Sequence, residues 1–262
     1  MINRNKTILI VDDNEDMLFI LSDTLQNDYD IICARNGKEA FVLVNKNNIH
    51  LIISDVMMPE IDGYEFCEKI KSDYQFSHIP VILLTAKNTL QSKIAGLNVG
   101  ADVYIEKPFS MDFLKAQIQS LIINRDRLKS YFVKSPTAHI TSMASNETDK
   151  CFLEALETHI AEHMSNPELD VPLLAKSMHM SRTSLYRKIN SLSDLSPSEI
   201  INLARIKKAI EILSTKKARL NEVIDIIGYS SVTQLGRNFQ KYFGLTPSEY
   251  MKKQQAAAAD NI

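Results

Sequence analysis

Reactive side chains follow two short apolar runs in the first half of the chain. Ile8–Val11 leads directly to the acid pair Asp12 and Asp13, and the run that begins at Leu51 ends in Asp55. Short apolar runs between helical patterns are typical of buried parallel strands. Because the carboxyl ends of parallel strands meet at one edge of an open sheet, we expect these three carboxylates to lie together. Carboxylates that share a site are costly to ionise unless a cation joins them.

A hydroxyl and an ammonium are expected at the same sheet edge. The apolar run Val81–Leu84 ends in Thr85, and Val103–Ile105 is followed closely by Lys107. Hard oxygen ligands suit Mg²⁺, which keeps several waters and coordinates phosphate oxygens. With Mg²⁺ bound, Asp55 has the chemistry of a carboxylate nucleophile for a phosphoryl group. Lys107 would balance the phosphoryl charge, and Thr85 would hydrogen-bond an oxygen that is absent beforehand, which makes a switch.

Each of these residues also has an ordinary structural interpretation. Asp12 and Asp13 could cap the first helix, Lys107 precedes a proline in a common turn dipeptide, and Thr85 alone is unremarkable. The joint arrangement, with each residue type at the end of its own strand, favours the phosphoryl site.

Helical patterns alternate with the apolar runs through about residue 124. The predicted helices are Glu15–Gln26, Lys38–Asn45, Tyr64–Ser72, Leu90–Val99 and one from Met111 onward. Parallel neighbouring strands need crossover connections of this kind, so the front half is predicted to be an α/β doubly wound, five-stranded parallel sheet. Glycines that suit tight or left-handed turns fall near the helix ends; they are Gly37, Gly63, Gly96 and Gly100.

Length and composition are those of two domains, at 262 residues. No apolar run approaches the ~20 residues that span a bilayer, and the start lacks the apolar segment of a signal peptide. Cys33, Cys67 and Cys151 are far apart and are expected to be reduced thiols. We therefore expect a cytoplasmic location and no membrane contact within this chain.

Charge is uneven although the net charge is only −2. Residues 1–133 carry 14 Lys and Arg against 18 Asp and Glu, whereas residues 171–253 carry 14 against 6. An acidic front and a basic back indicate that only the back meets a polyanion.

The front half resembles a two-component receiver domain with a flavodoxin-like fold, over about the first 124 residues. The matching motifs are Asp12-Asp13, Asp55-x-x-Met58-Pro59-x-x-Asp62-Gly63, Thr85-Ala86, and Tyr104 three residues before Lys107-Pro108-Phe109. The resemblance implies that a histidine kinase phosphorylates Asp55. The implied Mg²⁺ ligands are Asp12, Asp13, Asp55 and the backbone carbonyl of Met57.

The resemblance also implies a switch in which Tyr104 swings inward as Thr85 moves. The movement would change the face formed by the Leu90–Val99 helix, the last strand and the helix after it, which is the usual dimerisation surface. The alternative for Tyr104 is a partly buried aromatic side chain on an edge strand.

A helical extension and a linker are predicted between the two halves. The positions Leu114, Ile118, Leu121, Arg125, Leu128 and Phe132 are spaced 4-3-4-3-4 and could form a heptad-like dimer seam. The alternative is an amphipathic helix whose first turns pack on the sheet, with residues 125–127 solvated. Lys134–Asp149 is polar and without period, so it is predicted to be a flexible linker, with Asp149 capping the next helix.

An internal repeat with an offset of 50 residues marks the back half. Ser181-x-x-x-Leu185-x-Arg187-x-Ile189 matches Ser231-x-x-x-Leu235-x-Arg237-x-Phe239, and Ser196-Pro197-Ser198-Glu199 matches Thr246-Pro247-Ser248-Glu249. In each copy a helix meets a short turn and a second helix with a Ser N-cap, which indicates a helix-turn-helix unit. Gly228 would supply the positive φ of the second turn, whereas the first turn, Met178–Met180, lacks a glycine.

The second helix of each unit has an apolar side and a side rich in hydrogen-bond donors. Such donors can reach base edges, with Arg favouring guanine and Gln adenine. The predicted DNA contacts are Arg182, Thr183, Tyr186, Arg187, Thr233, Gln234 and Arg237. Between the units, a helix of ~18 residues spanning ~27 Å carries Arg205, Lys207 and Lys208 and could hold the units near the ~34 Å repeat of B-DNA. The alternative is a helical bundle with a basic solvated surface.

This half is similar to the AraC/XylS-type DNA-binding domain across roughly Asp149–Lys253. The most specific match is Ile227-Gly228-Tyr229 through Arg237-x-Phe239-x-Lys241-x-Phe243-Gly244-x-Thr246-Pro247-x-x-Tyr250. Two departures stand out. Gly236 replaces a better helix former, weakening that helix by up to ~1 kcal/mol, and Ser193-Asp194-Leu195 has no glycine where the second unit has Gly244. The pairing of domains is similar to the C-terminal end of hybrid two-component regulators, so the chain is either part of a longer sensor or a free-standing regulator.

The predicted organisation is a receiver domain (1–124), a helical extension and linker (125–148), a double helix-turn-helix domain (149–253) and a tail (254–262). Phosphorylation of Asp55 is expected to drive homodimerisation and DNA binding, with no enzymatic activity beyond the chain's own phosphorylation and dephosphorylation. One alternative is a phosphorelay receiver whose helical domain docks a protein. Another is a small-molecule phosphohydrolase built on Asp55 and Mg²⁺, which the short loops without a lid disfavour.

Overall fold

The computed structural model describes residues 6–86, 99–135, 138–215 and 219–252. Its contacts divide the chain into two compact units. The first, the sheet unit, comprises the described residues of Met1–Asp126 together with Ser145–Asp149, and the second, the helical unit, comprises those of Arg127–Ala144 and Lys150–Ile262. The domain boundaries predicted at residues 124 and 149 remain predictions. No helix in the described part of the chain is both long and apolar enough to cross a membrane.

Five parallel strands form the centre of the sheet unit. They are β1 (Thr7–Val11), β2 (Asp30–Ala34), β3 (Leu51–Asp55), β4 (Val81–Thr85) and β5 (Val103–Glu106), in the spatial order β2-β1-β3-β4-β5. The described helices that accompany them are α1 (Glu15–Leu25), α2 (Gly37–Lys46), α3 (Gly63–Ser72) and α4 (Met111–Lys134). This order is the flavodoxin-like doubly wound arrangement, so the predicted fold class is confirmed. The predicted helix Leu90–Val99 lies outside the described residues except for Val99, as does Gly96.

Alternate residues of β1 face opposite sides of the sheet, and helices cover both sides. Ile8 and Ile10 pack with residues of α1 and α4, whereas Leu9 and Val11 pack with residues of α2 and α3. All four side chains are fully buried. Burial on both faces explains why the strands are continuous apolar runs rather than alternating ones.

The helices of the sheet unit begin at side-chain caps. Asn14 accepts a hydrogen bond of 3.1 Å from the backbone N–H of Met17 at the start of α1. Asp62 accepts one of 2.8 Å from the backbone N–H of Glu65 at the start of α3. The interpretation of Asp12 and Asp13 as caps of the first helix is therefore wrong, because Asn14 fills that role.

The first turns of α4 pack on the sheet, as one of the two interpretations expected. Leu114 and Ile118 are fully buried in the core of the sheet unit, and Phe132 is buried in the core of the helical unit. Arg125 is not simply solvated, because its Nη2 donates to Oγ of Ser145 at 2.7 Å. Residues at both ends of the predicted seam are thus packed inside the chain, and a dimer contact along it remains a prediction.

The segment predicted to be a flexible linker is folded over its described residues. A 3-10 helix spans Ile140–Met143, and both of these end residues are buried in the core of the helical unit. Helix α5 (Glu147–Glu162) begins before Asp149, whose backbone N–H donates to the side chain of Asn146 at 2.8 Å. The linker and the Asp149 cap are therefore corrected. The few apolar residues of this polar segment show no helical period, so a helix could not be predicted there.

Two helix-turn-helix pairs and a helix between them in sequence make up most of the helical unit. The pairs are α6 (Val171–Ser177) with α7 (Arg182–Ser193) and α9 (Leu220–Ile227) with α10 (Val232–Phe243), and α8 (Pro197–Thr215) lies between them. Residues 247–252 are also helical. Helix α8 contributes Ile200 and Leu203 to the core of the first pair and Ile206 and Ile210 to that of the second. The predicted all-α domain with two helix-turn-helix units is confirmed.

Residues other than glycine carry the positive φ angles of the first pair. In the second pair Gly228 (φ 68°) ends α9 and Gly244 (φ 67°) ends α10. In the first pair Asp194 (φ 59°) ends α7, with its carboxylate 2.8 Å from Nζ of Lys129, and His179 (φ 54°) lies in the turn. Asp and His adopt this conformation more readily than most residues that have a Cβ. The missing glycines therefore leave both turns intact.

Donors surround the carboxylate of Asp149, which is fully buried in the sheet unit. Ser77 donates to its Oδ1 at 2.7 Å, and Ser145 and Asn146 donate to its Oδ2 at 3.0 and 3.1 Å. Asn146 also donates to the backbone carbonyl of Ser77 at 2.6 Å. These bonds attach Ser145–Asp149 to the rest of the sheet unit.

Replacing Asp149 with Asn should destabilise the sheet unit. The new amide NH₂ group would face donors where the carboxylate now accepts, and a buried polar group without a partner costs about 1–3 kcal/mol. Urea unfolding of the full chain measures the change. Glu154→Gln, the same chemical change at an exposed site of α5, is the control and should leave the unfolding curve unchanged. Equal stability of the Asp149→Asn and native chains would contradict the role given to these bonds.

Candidate functional site

Four of the predicted residues meet at the carboxyl edge of the sheet. Asp12 follows β1, Asp55 ends β3, Thr85 ends β4 and Lys107 follows β5. Nζ of Lys107 lies 2.6 Å from Oδ1 of Asp55 and 3.1 Å from Oδ2 of Asp12. The strand register pairs Asp55 with Leu84, so Thr85 stands one residue beyond it on the neighbouring strand. Parallel pairing therefore brings together residues that are up to 95 positions apart.

Burial and mutual charge set the electrostatics of this cluster. Asp12 and Asp55 are only 2% and 6% exposed. Burial raises the pKa of Asp12, against the opposing effects of the Asn14 backbone N–H and Lys107. Burial lowers the pKa of Lys107, but its hydrogen bonds and ion pairs with Asp55 and Asp12 outweigh burial and raise the pKa overall. Lys107 is thus held in its charged form and is the cation that joins the two acids.

The turn after β3 fixes the carboxylate of Asp55. Its Oδ2 accepts a hydrogen bond from the backbone N–H of Met57 at 2.6 Å. The backbone of Gly63 returns to this point, where its N–H donates to the carbonyl of Val56 at 3.0 Å. A Cβ at Gly63 would lie 2.2 Å from the carbonyl oxygen of Asp55, so only glycine permits this close approach.

Asp13 differs in burial from Asp12 and Asp55. It is exposed, whereas its neighbour Asp12 is buried, because successive residues of an extended segment point to opposite sides. In the part of the chain that the structure describes, no group of three or more His, Cys, Asp or Glu side chains is arranged to hold a metal. The two acids that share Lys107 are Asp12 and Asp55, and the role of Asp13 as a metal ligand stays a prediction.

Tyr104 is half-buried on β5, the edge strand of the sheet. Its hydroxyl lies 2.9 Å from the hydroxyl of Tyr64 in α3. Burial raises the pKa of Tyr64, and the hydrogen bond with Tyr104 raises it further. Thr85 is fully buried on the neighbouring strand. Sequence reasoning missed Tyr64, because no pattern links a helix residue to a strand residue 40 positions later.

The predicted DNA contacts all lie on the exposed sides of α7 and α10. The exposed residues are Arg182, Thr183, Tyr186 and Arg187 in α7 and Thr233, Gln234 and Arg237 in α10. The apolar residues between them are buried: Leu185, Ile189, Leu235 and Phe239. Gln234 uses part of its amide within the turn, since its Oε1 accepts from Oγ of Ser230 at 3.0 Å. We refer to α7 and α10 as the recognition helices.

A buried tyrosine in the second turn positions α10. Tyr229 is 4% exposed, and burial raises its pKa to about 12. Its hydroxyl donates to Oδ1 of Asn202 in α8 at 3.2 Å and accepts from Nδ2 of Asn238 in α10 at 3.0 Å. The guanidinium carbon of Arg205 lies 5.6 Å from the centre of the Tyr229 ring. Asn202 and Asn238 were not singled out from the sequence, because helical spacing alone does not show which polar residues turn inward.

Two of the three basic residues noted in the sequence of α8 form hydrogen bonds inside the helical unit. Arg205 is 5% exposed and donates to the carbonyl of Asn166 at 2.7 Å. Nζ of Lys207 donates to three backbone carbonyls between 2.6 and 3.0 Å away, those of Phe132, Ser135 and Ala138. Burial lowers the pKa of Lys207 to about 8. The positive charge counted in the sequence is therefore not all surface charge.

Comparison with known proteins identifies two families. A response regulator receiver domain matches residues 8–119, and a helix-turn-helix domain matches residues 174–253. Histidine kinase P4 of Formosa agariphila is 38% identical over 249 residues, which are 94% of this chain and 18% of that protein. The probable transcriptional regulator ycf27 of Porphyra purpurea is 39% identical over 129 residues, which are 49% of this chain and 52% of that protein.

Among solved structures, the signal receiver domain of a signal transduction histidine kinase from Syntrophus aciditrophicus is 36% identical, with a TM-score of 0.44 over 45% of this chain and 91% of that one. The chain spans 18% of the length of the kinase and about half that of the ycf27 regulator. The acid and lysine cluster lies within the receiver match, and both recognition helices lie within the helix-turn-helix match. The chain therefore contains a receiver domain of the response regulator family, followed by a helix-turn-helix domain of the AraC type.

Proposed function

We propose that the chain is a transcription factor whose DNA binding is controlled by phosphorylation of Asp55. The observation that carries the proposal is the cluster in which Lys107 joins Asp55 and Asp12, at 2.6 and 3.1 Å. A carboxylate oxygen of Asp55 would attack the phosphorus of a phosphohistidine, and the histidine nitrogen would leave. Lys107 is close enough to balance the charge of the new phosphoryl group.

A histidine kinase is the proposed phosphodonor. Support comes from the match to histidine kinase P4, which extends over 94% of this chain. Phosphoryl transfer from a kinase on a separate chain, or from a kinase segment of the same polypeptide, requires the same chemistry at Asp55. The proposed DNA partner makes the cytoplasm the expected location.

The donor set suits Mg²⁺. Asp12 and Asp55 are hard oxygen ligands, and Asp13 and the backbone carbonyl of Met57 belong to the turns beside them. Mg²⁺ is usually held by one or two carboxylates and keeps positions for water and phosphate oxygens. When bound, the ion would stabilise charge that develops during transfer. The burial that raises the pKa of Asp12 makes a second cation favourable beside the two acids.

Phosphorylation would change the partners of Lys107 and Thr85. The modification adds up to about two negative charges, and both side chains can then bind phosphoryl oxygens. Tyr104 is expected to follow Thr85, with the loss of its present contact to Tyr64. The altered face favours a homodimer, which would bring two helix-turn-helix domains to adjacent DNA sites and raise affinity through effective concentration.

Asp55→Asn should abolish phosphoryl uptake and make DNA affinity indifferent to the phosphodonor, because an amide lacks the nucleophilic oxygen of a carboxylate. The chain is incubated with a small acyl phosphate and Mg²⁺, and the intact mass and the affinity for selected DNA fragments are measured. Asp112→Asn, at an exposed position of α4, is the control and should behave as the native chain does. Uptake by Asp55→Asn at the native level would rule out Asp55 as the acceptor.

Replacing Arg187 and Arg237 together by Ala should remove specific DNA binding, because each base contact of this kind contributes about 1–3 kcal/mol. Fragments are selected from random DNA by the native chain, and their affinity is measured by fluorescence anisotropy. Native binding should weaken steeply as salt rises, since phosphate contacts release counterions. The control pair Arg35→Ala and Arg127→Ala removes equal charge from exposed positions outside the recognition helices. An unchanged affinity of the Arg187 and Arg237 variant would favour the alternative in which the helical domain docks a protein.

A further inference from the structure

For five of the six glycines in the described part of the chain, a close contact or a positive φ angle explains why the residue is glycine. A Cβ at Gly37, Gly63 or Gly228 would lie 2.9, 2.2 or 2.3 Å from another atom, and Gly100, Gly228 and Gly244 have φ angles of 82°, 68° and 67°. Any other residue would collide or be strained at these positions. Gly236 is the exception among the six.

Gly236 lies in the interior of α10, where glycine is unfavourable. A Cβ built there would meet no atom within 4 Å. Glycine is the worst residue after proline in a helix interior, because it loses the most backbone freedom when the helix forms. The described residues therefore offer no contact that explains a glycine here.

Gly236 is partly exposed and lies at the edge of the exposed side of α10. Residues three and four positions apart on a helix are neighbours, so Gly236 adjoins Thr233 and Gln240, both of which are exposed. Leu235 and Phe239 are fully buried, and Phe239, three positions on, adjoins Gly236 on the inner side of the helix. The bare backbone of Gly236 thus lies among the side chains that the proposed function directs towards DNA.

The repeat shows how different the two recognition helices are at this point. At the offset of 50 residues, the position of Gly236 in α10 corresponds to Tyr186 in α7, whose side chain is 44% exposed. A tyrosine keeps its helix at the distance of a long side chain from a partner, whereas a glycine lets the helix backbone itself touch the partner. The two helices are therefore built for different depths of approach.

We propose that the backbone of α10 at Gly236 packs directly against the sugar-phosphate backbone of double-stranded DNA. This inference rests on the proposed DNA-binding function and adds a contact that needs the absence of a side chain. Backbone contacts fix the register of a protein on the duplex while base contacts read the sequence. Gly236 thereby sets how deeply α10 enters the groove and how far Arg237, the next residue, reaches.

The test compares folding stability and DNA affinity in the same variants. Gly236→Ala should raise the melting temperature of the helical unit by about 2–4 °C and weaken binding to fragments selected by the native chain at least about tenfold, the size of one lost contact. Gly236→Tyr, which copies the first unit, should weaken binding further. The control Ala155→Gly, at an exposed position of α5, should lower the melting temperature and leave DNA affinity unchanged.

The possible outcomes separate this inference from the function on which it rests. Native DNA affinity in Gly236→Ala would overturn the proposed contact while leaving DNA binding itself in place. A lower melting temperature in Gly236→Ala would also overturn it, since the glycine would then serve the fold. Failure of the native chain to enrich any fragment from random DNA would overturn the proposed function, and this contact with it.

Discussion

The sharing of one ammonium between two buried carboxylates is the interaction on which the chemistry of the sheet unit depends. Asp12 and Asp55 are almost completely buried, and Nζ of Lys107 donates a hydrogen bond to each carboxylate. Removing one partner of a buried ion pair leaves an uncompensated charge, which is strongly destabilising. The three residues belong to the ends of three strands, so the cluster forms only when the register of the parallel sheet is correct. Fold and chemistry are therefore fixed by the same pairing.

This arrangement also determines how a chemical change at Asp55 would be felt elsewhere. The ion pairs of Lys107 with Asp12 and Asp55 already connect three strand ends, so a change at Asp55 needs only to rearrange them. Lys107, which is bound to Asp55, would change its contacts when the charge at Asp55 changes. Thr85 is buried on the strand next to Asp55 and is close to the same change. The hydroxyl contact between Tyr64 and Tyr104 then joins the edge strand to α3. Short polar contacts on a rigid sheet suffice, and no large cavity or lid is required.

The residues at the sheet edge could be predicted because two simple rules act together. Each strand is a continuous apolar run, and parallel strands end at one edge, so Asp12, Asp55, Thr85 and Lys107 followed from their positions alone. The failures have a different origin. The difference in burial between Asp12 and Asp13 could not be predicted, because adjacent residues look equivalent in a sequence. Tyr64 was missed because its partner is distant in the chain.

In the helical unit, both recognition helices could be predicted from the period of their apolar residues. The positive charge of the sequence, by contrast, overestimated the positive charge of the surface. Arg205 and Lys207 were counted in the positive charge of the back half, whereas Nη2 of Arg205 and Nζ of Lys207 are bound to backbone carbonyls inside the helical unit. A helical period separates apolar from polar faces without telling which long cationic side chains bend inward. The sequence of the first unit shows no glycine in its turn or after its second helix, whereas His179 and Asp194 adopt the left-handed conformation at these positions.

The return of Ser145–Asp149 to the sheet unit, after Arg127–Ala144 has joined the helical unit, constrains how such a protein can evolve. Gene fusion and recombination move contiguous stretches of sequence. A junction after Asp126 would deprive the sheet unit of Asp149, whose carboxylate Ser77 binds. A junction after Asp149 would deprive the helical unit of Arg127–Ala144, which contributes to its core. Neither unit is made of one contiguous stretch of sequence, so no single junction separates the two units cleanly.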